Sequence, residues 1–125
     1  MGPVESRTRS VLADGAKLFS FPGMASFTMQ YEQEYLVLLL GEKPYPTRLK
    51  WSCLEGIPDL LGGRGWVKIG AVKNIGEPDT LHGYLTKCVK RMTAGYVAAI
   101  LQKTGIVQAS PGRPAQVRLN DDWDQ

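Results

Sequence analysis

The chain has 125 residues, of which 43% are hydrophobic and 22% charged; this is the size and balance of one ordinary domain and excludes wholesale disorder. Its longest apolar run, Tyr35-Leu36-Val37-Leu38-Leu39-Leu40, is far shorter than the roughly 18 to 20 residues of a membrane span, and Met1 to Arg7 leads into no apolar signal segment. The net charge of +3 hides an asymmetry: basic and acidic side chains balance over 1–79, whereas 80–120 holds Lys87, Lys90, Arg91, Lys103, Arg113 and Arg118 with no acid, and Asp121, Asp122 and Asp124 follow.

Residues 1–25 read as a flexible or partly extended segment, in which Leu18-Phe19-Ser20-Phe21 runs into a Pro22-Gly23 turn. Phe27, Tyr31, Tyr35, Leu38 and Leu39 then recur at helical spacing, which predicts a helix over 26–41 with Ser26 as its cap and Gly41 as its stop. A strand through 35–40 has only Tyr35 and Val37 in its favour. After the Lys43-Pro44-Tyr45-Pro46 break, Leu49, Trp51, Cys53, Leu54, Ile57, Leu60 and Leu61 form a second apolar stripe closed by Gly62-Gly63. Pro58 kinks or splits it unless it occupies a first turn. Trp66-Val67-Lys68-Ile69-Gly70-Ala71-Val72 alternates as a strand does, and residues 74–78 read as a loop. Trp51 and Trp66, each inside an apolar pattern, are expected to anchor the core.

The last third carries the clearest signals. Asp79 or Thr80 can cap a helix whose stripe is Leu81, Tyr84, Leu85, Cys88 and Val89. Lys90-Arg91-Met92 connects it to a second helix, started by Thr93, striped by Tyr96, Val97, Ile100 and Leu101, and ended by Gly105. Two strand-like runs, 106–109 and 115–119, flank the tight tip Ser110-Pro111-Gly112-Arg113-Pro114.

In order, residues 49–120 give helix, strand, helix, helix, strand, hairpin tip, strand. With Thr93-Ala94-Gly95-Tyr96-Val97-Ala98-Ala99-Ile100-Leu101-Gln102-Lys103-Thr104-Gly105-Ile106-Val107 and the 111–114 tip, this resembles the winged-helix family of DNA-binding domains. The resemblance implies a mainly α fold with a small β-hairpin and a winged-helix-like core at about 49–120; the residue pattern itself adds an N-terminal helical segment within a single domain spanning 26–120, and an acidic tail at 121–125 that reads as free in solvent. The resemblance also implies double-stranded DNA as the partner. Lys87, Lys90, Arg91 and Thr93 would meet phosphates around the helical turn, Arg113 would reach from the tip to a minor groove, and Arg118 would face solvent on the wing strand.

The outward face of the second helix holds Gly95, Ala98, Ala99 and Gln102, of which only Gln102 can read a base edge. This favours phosphate-dominated binding with modest or indirect readout, in a transcriptional regulator or the reading module of a larger system. The alternative is a protein-interaction or adaptor module that uses the same small-residue face, with a homodimer through the 26–41 helix.

Cys53, Cys88 and His82 are too few for a structural zinc site, and the cysteines read as free thiols in a reducing interior, cytoplasmic or nucleoid/nuclear. His82 reads as a solvated or capping histidine, and Gly62-Gly63-Arg64-Gly65 as a turn, since no Lys-Ser/Thr follows as a phosphate loop requires. The carboxylates Glu32, Glu34, Glu42, Glu55 and Asp59 compose no catalytic motif. The chain therefore reads as a binding domain, not an enzyme, with no cofactor, metal or membrane contact.

Overall fold

Phe27, Tyr31 and Tyr35 lie four apart, and that step suits a strand as well as a helix because every even step returns to the same face. In the computed structural model, which describes residues 1–23, 25–41, 45–70 and 79–124, the strand wins. β1 (Lys17–Phe19), β2 (Ser26–Tyr31), β3 (Tyr35–Leu40) and β4 (Thr47–Lys50) form an antiparallel meander in chain order. The expected 26–41 helix is instead the β2–β3 hairpin, with Phe27 opposite Leu40 and Tyr31 opposite Leu36. Leu36, Val37 and Leu38 are all buried, so both faces of β3 are covered. A strand covered on both faces reads as a continuous apolar run, without the alternation that betrays a half-buried one.

Residues 1–25 contain β1 and also α1 (Pro3–Val11). Pro3 suits a first helical turn, where its missing N–H would be unpaired in any case. The Gly2 cap has no side chain, and the Glu55 carboxylate takes its place, accepting from the Val4 and Glu5 amides at 2.9 Å each.

The second stripe divides at Gly56 into α2 (Trp51–Glu55) and α3 (Ile57–Leu61), with Pro58 in the first turn of α3. β5 (Val67–Lys68), α4 (Leu81–Leu85), α5 (Ala94–Lys103), β6 (Val107–Ser110) and β7 (Gln116–Leu119) follow. β5, β7 and β6 make an antiparallel sheet in that order. Thr80 caps α4 by accepting from the Gly83 amide at 2.9 Å. Residues 71–72 of the expected strand and the 74–78 loop lie outside the described residues. The mainly α architecture is thus corrected: strands are as abundant as helices, in one four-stranded and one three-stranded sheet.

α5 is the shared wall between these layers. β6, β1, α1 and α4 all pack against it. Ala94, Val97, Ala98, Ala99, Ile100 and Leu101 are all buried. Tyr96 meets Phe27 edge to face at 5.0 Å between ring centres. The acidic tail is also anchored: Trp123 is buried in the core, and Arg7 donates to its carbonyl at 3.1 Å and to that of Thr104 at 2.8 Å.

Two further expectations are corrected. Cys53 and Cys88 are not free thiols: they form a disulfide, with Cα atoms 6.3 Å apart, which ties α2 to the turn after α4. His82 is not solvated. It is 1% exposed, and neither ring nitrogen has a hydrogen-bond partner among the described residues. Trp51 is buried as expected. No helix among the described residues is long and apolar enough to cross a membrane.

Candidate nucleic-acid interface

The pleat of the three-stranded sheet decides which side chains reach its outer face. Val67, Val107 and Val117 point into the core. Their alternate neighbours Trp66, Lys68, Gln108 and Arg118 are therefore directed outward, and all four are exposed. Pairing of Val67 with Val117, and of Gln108 with Arg118, sets Trp66, Arg118 and Gln108 side by side across the sheet. The Arg118 guanidinium sits 5.0 Å from the centre of the Trp66 ring and donates to Gln108 Oε1 at 2.7 Å. Trp66 is 41% exposed, which corrects its reading as a core anchor. The signal was present in the sequence: if Val67 and Ile69 face inward, Trp66 must share the face of Lys68.

Lys68 also lines a cleft of about 890 Å³ that opens between β5, the β6–β7 hairpin tip and the Phe21-Pro22 turn. Arg113 stands on the tip wall, and Phe21, Ile69, Met92, Pro111 and Pro114 supply apolar surface. Met92 lines this cleft and also borders a second one of about 350 Å³, lined by Leu40, Tyr45, Arg91 and Tyr96. Arg91 is held there by donating to Thr47 Oγ1 at 3.0 Å. Tyr45 and Met92 are 68% and 50% exposed. No carboxylate is among the described residues that line either cleft.

The residues expected to contact DNA are therefore partly brought together. Arg91 and Arg113 fall on neighbouring clefts that share Met92, and Arg118 lies on the adjoining sheet face. Lys87 and Lys90 are exposed in the α4–α5 connection. Thr93 is excluded from any phosphate contact: it is fully buried, and its hydroxyl has no partner among the described residues. Gln102 is exposed in the last turn of α5, seven residues from Gly95 and so roughly 10 Å along the helix from the cleft.

The small-residue face of α5 is not free to enter a groove or to receive a protein. The Phe21 amide donates to the Gly95 carbonyl at 2.9 Å. A Cβ on Gly95 would stand 3.1 Å from the Phe21 carbonyl oxygen, so glycine is what lets the two backbones approach. Ala98 and Ala99 are likewise covered. The homodimer helix proposed for 26–41 does not exist, since β2 and β3 occupy it. Sequence reasoning missed Phe21, Tyr45 and Met92, whose approach to the basic residues depends on pairing between distant segments.

Among the described residues, no group of three or more His, Cys, Asp or Glu side chains converges as a metal site. No protein-family model, no curated protein and no solved structure matches this chain.

Proposed function

We propose that the protein is a nucleic-acid-binding domain whose affinity comes mainly from phosphate neutralisation along a strip formed by Arg118, Lys68, Arg113 and Arg91. The observation that carries this reading is the position of Arg113 and Arg91 on two clefts joined through Met92, with no acidic side chain among the described lining residues. Apolar and aromatic groups alternate with the cations: Trp66 beside Arg118, Phe21 and Met92 near Arg113, Tyr45 near Arg91. Cations supply attraction to the backbone, and such surfaces accept bases with little sequence preference.

The winged-helix likeness enters this reading only through the order of elements over 51–119, since the groove-entering role it implied for α5 is not available. Readout is accordingly modest or indirect. The Cys53–Cys88 disulfide supports a working environment that is oxidising.

The test is a titration of the full chain with a fluorescently labelled oligonucleotide at several salt concentrations. Four neutralised phosphates predict that log K falls with log[salt] at a slope of roughly −3 to −4. A slope near zero, or no binding at low salt, eliminates the reading.

A further inference from the structure

We infer that the ligand of this strip is an unpaired strand, whose bases stack at Trp66 and enter the cleft bordered by Met92; this rests on the nucleic-acid reading above. A duplex turns its phosphates and groove edges outward and hides the flat faces of its bases in the stack. Against a duplex, only the cations of the strip would find partners, and the apolar walls would be left facing charged backbone. An unpaired strand offers both chemistries in alternation, an anionic phosphate and then a flat apolar base.

The surface offers the complementary alternation. Trp66, 41% exposed, is a stacking platform. Arg118, held by Gln108, lies over one face of that ring with its guanidinium carbon 5.0 Å from the ring centre, so a base stacks on the guanidinium plane or on the other ring face. Lys68 leads from that platform into the cleft, where Phe21, Ile69, Met92 and Pro114 supply apolar walls and Arg113 the next cation. The cleft volume of about 890 Å³ is that of a small-molecule site and has room for a base with its sugar. The covering of α5 by the Phe21 turn points the same way, because it removes the helix that the winged-helix likeness would have placed in a major groove.

The experiment compares the full chain's affinity for oligothymidylate and oligouridylate of about a dozen nucleotides with its affinity for the same strands paired to their complements. Unpaired strands are expected to bind at least roughly tenfold tighter, and the two unpaired probes separate DNA from RNA as the source. Trp51 and Trp123 are buried and Trp66 is not, so quenching of tryptophan fluorescence on binding reports stacking at Trp66. Trp66→Ala is expected to weaken strand binding roughly ten- to a hundredfold and to abolish the quench, and Trp66→Phe to restore most of the affinity. Equal affinity for strand and duplex, or undiminished strand binding by Trp66→Ala, overturns this inference and leaves phosphate-led binding standing. Absence of binding to every probe overturns both.

Discussion

Glu55 caps a helix whose first turn lies far before it in sequence: one carboxylate oxygen accepts from the Val4 amide, 51 residues away, and the other from that of Glu5, 50 residues away, both at 2.9 Å. The cap joins α1 to α2 and satisfies donors that Gly2 leaves open. Charge-assisted bonds at a helix N-terminus are among the stronger caps. Glu55→Ala should therefore destabilise the protein by about 1–2 kcal/mol, with Glu55→Gln retaining part of the effect. The midpoint of urea unfolding measures it.

The disulfide closes a loop between positions 35 apart in sequence. Cross-linking a loop of that size restricts the unfolded chain by about 3–4 kcal/mol. Cys53→Ser with Cys88→Ser should lower the unfolding free energy by that order. Reductant should do the same to the parent chain and nothing to the double variant. Equal midpoints for parent and variant would show that the bond does not form.

Two half-buried phenols set an alkaline limit. Tyr31 donates to the Thr8 and Leu12 carbonyls at 3.0 and 2.7 Å, and Tyr84 to the Cys53 carbonyl at 2.6 Å. Burial raises both above the usual 10.0; Asp14 adds to this at Tyr31 while Arg9 opposes it, and Asp59 adds to it at Tyr84. Because the folded state holds these protons more tightly than the unfolded one, their contribution is intact below about pH 10 and is lost as pH rises through the raised values. Stability should fall above about pH 10, and less steeply in Tyr31→Phe. Tyrosinate absorbance against pH, followed together with unfolding, checks it.

Gly70 stands on the cleft floor at φ +90°, and a Cβ there would lie 2.9 Å from that of His82 and 3.1 Å from Thr80 Oγ1. Gly70→Ala combines a disfavoured backbone with overpacking and should cost about 2–4 kcal/mol. Thermal unfolding would reveal an error here at once, since a neutral substitution means the floor can yield.

On the proposed nucleic-acid reading, Arg113→Ala should weaken binding and make the salt slope shallower by about 0.7–0.9, the share of one phosphate. Arg91→Ala should do the same and also leave the Thr47 hydroxyl without that donor. Undiminished binding by the double variant would remove the strip from the binding site.

The legible part of this fold was the part specified locally. Thr80, Gly105 and the 110–114 tip announce their turns within a few residues, so α5 and the β6–β7 hairpin stand where spacing and turn chemistry put them, and α4 starts where Thr80 caps it but stops at Leu85, leaving Cys88 and Val89 of the expected stripe in the turn that follows. The 26–41 segment failed because a step of four serves both periods and because β3 is buried on both faces, which is decided by what packs above and below the sheet and not by spacing along the chain. The pairing of Cys53 with Cys88 and the burial of His82 depend on tertiary approach, which spacing along the chain does not encode. For the candidate site, Arg91, Arg113 and Arg118 were readable as unneutralised charge, and Trp66 only by following the alternation one residue back from Val67. Nothing near Gly95 foretold that residues 20–21 would cover it.

That covering bond between Phe21 and Gly95 makes one turn of chain answerable to two layers. Phe21 is at once a wall of the cleft and the stitch between the meander and the central helix. Whatever settles against that wall will be felt in amide exchange along β1 and the start of α5 together, so occupancy should tighten parts of the molecule that the ligand never touches.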